Sequence, residues 1–236
     1  MQRLLDERRP LFEEKYANLP ERWRVDEGLV SYIIRLYTKK LERALSLLVQ
    51  GKRIKLSRFF ADSRTDAEYI YDLIDGWLIE DVICDAWLKT RLEKVNPQIK
   101  VKHMGTNRDR EIQFESAQKI TTKPDFIYET PSGREVHLEL QMARQKMTVF
   151  DMKESKVKRA IRDGNTIYLW ILLPSDEYFF LDPKIFEEKD AHSNPRWGGK
   201  KVYSISLEEV KLRRWGLFPL RGDLSKEVWY LLGLNE

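Results

Sequence analysis

The sequence predicts an α/β domain with a mixed β-sheet core flanked by helices and preceded by an N-terminal helical arm. Hydrophobic residues recur every three to four positions in the first part of the chain, which is helical spacing. The spacing then changes to two, as in strands, and one further helical stretch interrupts these runs. With 236 residues, 42% of them hydrophobic, the chain can bury one sizeable core.

Two long helices are predicted before the strands. In the first, an apolar stripe runs over residues 29–48, and Gly51 is a natural stop. The second begins after Ser63 or Thr65, because either hydroxyl can cap a helix. It ends before Pro97, since the residue before a proline disfavours helix.

The strands are predicted as short runs of β-forming residues separated by turn residues. They are QIKVKHM, REIQF, TTKPDFIYE, REVHLELQM, TIYLWILL, EYFFLD and VYSIS. A helix over residues 147–163, closed by Gly164, lies between the fourth run and the fifth. This order places the β-sheet core at residues 63–210, between a helical arm at 1–62 and a tail at 211–236 packed on it.

Composition restricts the class of protein. The net charge of +4 is a small basic excess, which permits a nucleic-acid partner only if the basic residues cluster. The single cysteine, Cys84, leaves no disulfide framework and no cysteine-based zinc site. The beginning is too charged for a signal peptide, and no apolar stretch has the length of a membrane span. We expect a soluble cytoplasmic protein.

The segment PDFIYETPSGREVHLELQ predicts a β-hairpin. Its turn, at residues 130–133, has proline at the second position and glycine at the fourth, which favours a type I turn. Such a loop pairs Glu129 either with Arg134 or with Glu135. The two registers differ by one residue, and the sequence leaves both open.

Two acidic residues come together in this hairpin. In the second register Asp125 lies opposite Glu139, and in the first register the two are diagonal neighbours. Opposed residues on one face have Cβ atoms about 5 Å apart. Two carboxylates at that separation repel each other unless a cation lies between them. The pairing therefore predicts a metal site.

The alternation of polar and apolar residues along the second strand of the hairpin also places Glu139 on a polar face. The apolar set is Val136, Leu138, Leu140 and Met142, and the polar set is Glu135, His137, Glu139 and Gln141. A solvent-facing strand has the same pattern. The pairing of Glu139 with Pro124-Asp125 across a turn favours a functional site over that reading.

A third carboxylate is predicted on the second long helix. The neighbours of Glu80 at helical spacing are apolar or small: Gly76, Trp77, Ile83 and Cys84. A glutamate there is costly to bury unless it is paired or bound to metal, so an ion pair is the alternative. Asp81 shares a flank with Asp85 and is interpreted as a solvated charge.

These residues resemble the PD-(D/E)XK nuclease superfamily, the restriction-endonuclease-like proteins. Pro124-Asp125, a hairpin and then Glu139-Leu140-Gln141 match its motif, with glutamine in place of the usual lysine. The helix with Gly76 and Glu80 is similar to the first core helix of archaeal junction resolvases and many restriction enzymes. The resemblance covers roughly residues 65–182.

The resemblance implies a magnesium-dependent hydrolase. Asp125, Glu139 and the Leu140 carbonyl would hold one or two Mg²⁺ ions, and Glu80 would hold a second ion or a water. The metal would activate water for attack on a phosphodiester. Gln141 is the favoured occupant of the motif lysine position, and the alternative is Lys153 or Lys156 from the next helix.

The resulting functional hypothesis is a homodimeric, sequence-specific DNA endonuclease of restriction type, acting on double-stranded DNA. The alternatives are a structure-specific DNA nuclease, of Holliday junction resolvase or repair type, and a catalytically silent DNA-binding module on the same fold. The residues predicted to contact DNA are Arg53, Lys55, Asn107, Arg108, Lys156 and Arg196.

Overall fold

A mixed β-sheet with flanking helices is present, so the predicted α/β class is confirmed. The computed structural model describes residues 12–53, 64–104, 112 and 124–214. Two compact units divide these residues. Residues 12–53 and 64–89 belong to the first, and residues 90–104 and 124–214 belong to the second. The second long helix, assigned to the core from the sequence, therefore begins in the first unit.

The first unit is helical. Residues 12–16 are helical, and the elements after them are α1 (Leu19–Trp23), α2 (Glu27–Val49), α3 (Asp66–Asp81) and a π-helix (Val82–Lys89). Gly51 follows α2 with φ of +88°, a backbone conformation that favours glycine, which confirms the predicted stop. Cys84 is buried within the π-helix.

The beginning of α3 is fixed by a capping box. The Glu68 backbone N–H donates to the Thr65 hydroxyl, and the Glu68 carboxylate accepts from the Thr65 N–H at 2.8 Å. Of the two predicted caps, Thr65 is the one used. No helix in the described ranges has the length and apolar character that a membrane span requires.

The second unit contains the sheets. Its elements are α4 (Thr90–Val95), β1 (Lys100–Met104), β2 (Phe126–Glu129), β3 (Glu135–Ala143), β4 (Val149–Lys153), α5 (Glu154–Asp163), β5 (Thr166–Leu172), β6 (Glu177–Leu181), β7 (His192–Asn194), β8 (Lys200–Ser206) and β9 (Arg213–Arg214). Six strands form a sheet in the order β1-β2-β3-β5-β6-β9. The pair β3 and β5 is parallel, and the other neighbours are antiparallel.

A second sheet of three strands has the order β4-β8-β7. The chain leaves β3, passes through β4 and α5, and returns to the first sheet at β5. Side chains of β4, β5 and α5 meet in one apolar cluster that includes Phe150, Tyr168 and Val157. Because of this packing, α5 covers the face of β3 and β5 to which Tyr168 belongs.

The predicted helix over residues 147–163 is wrong in its first part. Residues 149–153 form β4, and the helix begins only at Glu154. Phe150 and Met152 are buried in the apolar cluster, while Asp151 between them faces the opposite side. Pairing with β8 buries these two side chains at strand spacing, so tertiary packing overrides the helical pattern.

Of the predicted strands, REIQF lies outside the described residues apart from its residue 112. The predicted tail contributes β9, whose Arg214 pairs with Glu177 at the edge of the six-stranded sheet. Its residues 215–236 also lie outside the described part.

Candidate active site

The hairpin of β2 and β3 adopts the second of the two predicted registers, with Glu129 paired to Glu135. The Gly133 N–H donates to the Thr130 carbonyl at 2.9 Å, which closes the predicted turn. Gly133 has φ of +86°, so this position favours glycine for conformational reasons. The turn residues therefore fix which residues of the two strands face each other.

Asp125 immediately precedes the first residue of β2. The register pairs Phe126 with Leu138, and continuing it by one residue places Asp125 opposite Glu139. The Asp125 carboxylate accepts the backbone N–H of Leu140 at 2.9 Å. The structure thus brings together the residues Asp125, Glu139 and Leu140 at one end of the hairpin.

The proline of the Pro124-Asp125 pair affects the Leu140 carbonyl. The His137 N–H donates to the Asn165 carbonyl just before β5, so the backbone groups of His137 point toward β5. These directions alternate along a strand, so the backbone groups of Leu138 and Leu140 point toward β2. In this register Leu140 faces Pro124, which has no N–H to donate. Pro124 therefore offers no backbone N–H to the Leu140 carbonyl at this position.

Glu139 is buried, with 3% of its surface exposed, and two cations of α5 neutralise it. The Lys156 ammonium lies 2.8 Å from one carboxylate oxygen, and the Arg159 guanidinium lies 2.7 Å from the other. Residues three apart share one face of a helix, so α5 presents both groups together. Their side chains are 38% and 26% exposed, which leaves each in contact with solvent.

Arg159 is a site residue that the sequence analysis missed. Its signal was its spacing of three residues from Lys156 on a helix whose adjoining face carries the buried residues Val157 and Ala160. Tyr168 also belongs to the site, since it pairs with Glu139 across β3 and β5. Its buried hydroxyl has no hydrogen-bond partner among the described residues. Burial, and then the charge of Glu139, raise the pKa of Tyr168, so the phenol stays neutral.

The two other candidates for the motif lysine position are Gln141 and Lys153. Gln141 follows Glu139 by two residues on β3, is half-buried and pairs with Trp170 of β5. Lys153 ends β4, and its ammonium lies over the Trp197 ring at 5.4 Å from the centroid. Lys156 contacts a carboxylate of the hairpin, with its ammonium 2.8 Å from a Glu139 oxygen.

Glu80 lies near the end of α3 in the first unit and is half-buried. The fully buried carboxylate of that helix is Asp75, whose partner is the Lys15 ammonium. The prediction that Asp81 is a solvated charge is wrong. Asp81 is half-buried and accepts a hydrogen bond from the Tyr37 hydroxyl. Within the described ranges, no three His, Cys, Asp or Glu side chains form a group suited to a metal ion.

The predicted DNA contacts are only partly described. Lys55, Asn107 and Arg108 lie outside the described residues. Arg53 is exposed after the end of α2, in the first unit. Arg196 belongs to a short 3-10 turn, and its side chain is also outside the described part.

Comparisons with known proteins place few constraints on the function. No protein-family model matches the chain, and no curated protein matches it. Among solved structures, the chain is similar to Hjc, a Holliday junction resolvase from the archaeal hyperthermophile Archaeoglobus fulgidus. The sequences are 11% identical with a TM-score of 0.33, over 51% of this chain and 84% of that chain. The function is therefore inferred from the geometry of the hairpin and of α5.

Proposed function

We propose that the chain is a metal-dependent nuclease that hydrolyses phosphodiester bonds of DNA. The observation that carries the proposal is the end of the hairpin, where Asp125, just before β2, lies opposite Glu139 of β3 and accepts the backbone N–H of Leu140. Lys156 adds a cation to this group of oxygens. Carboxylates, a backbone oxygen and an ammonium are suited to the chemistry of a phosphate group.

The oxygens of this group fit Mg²⁺. That ion prefers hard oxygen ligands, and it binds through one or two carboxylates while keeping waters and substrate phosphates as further ligands. Asp125, Glu139 and the Leu140 carbonyl would hold it. When bound, Mg²⁺ supplies Lewis acidity that neutralises phosphate charge and lowers the pKa of water.

We assign the role of the motif lysine to Lys156, although the sequence favoured Gln141. The Lys156 ammonium lies 2.8 Å from Glu139, and its side chain is 38% exposed. It can therefore turn from the carboxylate to a phosphate oxygen and stabilise the negative charge that develops during hydrolysis. The amide of Gln141 is neutral and can only orient water by hydrogen bonds.

Before a metal binds, Lys156 and Arg159 balance the charge of buried Glu139. Asp125 and Glu139 would hold a divalent ion, whose charge would then balance that of Glu139. Lys156, the more exposed of the two cations, would then be released toward the substrate. The ion pair would keep the Glu139 carboxylate correctly oriented until the metal arrives.

The finer hypothesis is a sequence-specific endonuclease of restriction type that acts on double-stranded DNA as a homodimer. Its support is the sequence resemblance together with the length of the chain. The helices of the first unit are additional to the nuclease core and could mediate dimerisation or DNA recognition. A two-fold dimer presents two sites, as a double-strand cut in a palindrome requires.

Cleavage assays test the proposal. The full chain and Asp125→Asn are incubated with mixed plasmid and phage DNA, a four-way junction and single-stranded DNA, with Mg²⁺ or EDTA. Asparagine keeps an oxygen that accepts the Leu140 N–H, so this variant retains the fold and loses the carboxylate charge. Discrete Mg²⁺-dependent fragments from wild type alone support the restriction hypothesis. Cutting of the junction alone supports the structure-specific alternative, and equal cutting by both proteins contradicts the proposed site.

Replacement of Pro124 gives a prediction about metal affinity. Pro124→Ala restores a backbone N–H opposite Leu140, and that N–H competes for the Leu140 carbonyl. We expect the Mg²⁺ concentration for half-maximal cleavage to rise several-fold, with little change in melting temperature. Pro131→Ala, in the turn at the other end of the hairpin, is the control and should leave the Mg²⁺ dependence unchanged. The explanation fails if both variants behave like wild type.

A further inference from the structure

The three-stranded sheet has one mainly polar face, on which Asp151 is hydrogen-bonded to Asn194 and Ser204 and Val202 is buried. The basic end of this face directly precedes α5. The other face of the sheet carries Phe150, Met152 and Ile205 into the apolar cluster. Because side chains alternate along a strand, Lys153 of β4 lies on the polar face. Lys153 pairs with Val202, and Lys200 is two residues before Val202 on β8, so the two lysines share that face.

Lys153 is held in a defined position. Its ammonium lies 5.4 Å from the centroid of the Trp197 ring, within the range of a cation–π interaction. Its side chain is half-buried, whereas Lys200 is exposed. Burial, followed by the charges of Lys200 and Lys156, lowers the pKa of Lys153, so each of these two ammonium groups repels that of Lys153.

The charges of Lys200 and Lys156 both act on Lys153, and an anion that contacts Lys153 and Lys200 together would offset this repulsion. Lys156 is already part of the proposed active site through Glu139, and Lys153 precedes it by three residues. The anion that fits must therefore extend from the active site to the polar face. The backbone of a nucleic-acid strand has this property, because it carries one negative charge per nucleotide.

We propose that Lys153 and Lys200 form a phosphate-binding site for the DNA strand that leaves the active site, with Trp197 as the residue that positions Lys153. The identity of the ligand rests on the proposed function, whereas the site itself rests on the positions of these three residues. Neither Lys153 nor Lys200 is required for the chemical step. Their contribution is to binding, and it depends on salt because it is electrostatic.

The test is binding of a fluorescent DNA duplex to the full chain in EDTA, which prevents metal-dependent cleavage, between about 50 and 200 mM salt. The double variant Lys153→Gln/Lys200→Gln should lower the slope of log affinity against log salt by about 1 to 2, and affinity by roughly tenfold at low salt. The matched control is Lys146→Gln/Lys184→Gln, which removes the same charge from two other exposed lysines. It should change the slope by less than half as much.

Trp197 provides an independent arm. Trp197→Leu removes the ring and retains every charge, so affinity should fall two- to threefold, while Trp197→Phe should restore most of the loss. If wild type binds DNA and the double variant keeps the slope of its control, the phosphate site is wrong and the nuclease proposal stands. If wild type binds no DNA at any salt concentration, the site and the proposed function are both overturned.

Discussion

Glu139→Gln should lower the rate of DNA cleavage by about 1,000-fold or more, the largest effect expected of any single substitution, because it removes a charged ligand from the metal site. The loss of an anion also leaves Lys156 and Arg159 without their shared partner. Removing one member of a buried ion pair costs about 3 to 5 kcal/mol when the remaining charge stays buried. Both cations here reach solvent, so we expect a smaller loss of about 1 to 2 kcal/mol in the free energy of unfolding.

Single-turnover cleavage rates and thermal unfolding of the same preparations measure the two effects separately. Glu135→Gln is the matched control, since Glu135 lies on the same strand and its side chain is 40% exposed. The control should cleave within about threefold of wild type, as a surface substitution away from the site does. If Glu139→Gln loses stability but keeps its rate per folded molecule, Glu139 has only a structural role.

Lys156→Gln should reduce the maximal rate of cleavage by about 100- to 1,000-fold, the magnitude typical of losing one electrostatic contact to a developing negative charge. The Mg²⁺ concentration for half-maximal activity should stay the same or fall, because one Glu139 oxygen loses its competing ammonium. This combination of a lower rate with unweakened metal binding distinguishes Lys156 from a metal ligand. Its melting temperature should change little, since the side chain is 38% exposed.

The comparison with Gln141→Ala decides which residue has the lysine role. We expect Gln141→Ala to lower the maximal rate by less than about tenfold, because a neutral amide contributes less to charge stabilisation than an ammonium does. A loss of 100-fold or more in Gln141→Ala, with Lys156→Gln near wild type, would return the role to Gln141.

The hairpin is the part of the site that the sequence predicts best. Pro131 and Gly133 restrict the turn to a few conformations, and the turn sets the register of every pair up to Phe126. Two registers stayed open because a loop of four residues and one of five are both compatible with this turn chemistry. In the folded chain the Thr130 N–H donates to the Arg134 carbonyl, which places Arg134 opposite Thr130 and so leaves Glu135 to pair with Glu129.

The assignment of cations to the site depended on where α5 begins, and the sequence analysis placed that boundary wrongly. With a helix beginning at residue 147, Lys153 and Lys156 would lie on one helix face and would be equivalent candidates. The strand β4 instead ends at Lys153 and α5 begins at Glu154, so Lys153 is on the polar face of one sheet while Lys156 contacts Glu139. The pairing of Phe150 with Ile205 on β8 decides this, across a separation that no local pattern encodes.

The acidic residues of α3 illustrate the same difficulty. Their burial is set by partners distant in sequence, since Lys15 is 60 residues from Asp75 and Tyr37 is 44 residues from Asp81. Helical spacing identified Glu80 by its apolar neighbours, but it could not reveal which carboxylates of the helix pair with a lysine or accept a hydrogen bond from a tyrosine.

Binding of Mn²⁺, measured by electron paramagnetic resonance of the free ion during titration, tests most directly whether Asp125 and Glu139 form a metal site. Mn²⁺ takes the same oxygen ligands as Mg²⁺ and has a direct signal. We expect wild type and Glu135→Gln to bind Mn²⁺ equally, and Asp125→Asn and Glu139→Gln to bind it at least tenfold more weakly. Equal binding by all four proteins, or no binding by wild type, would contradict a metal centre at this hairpin.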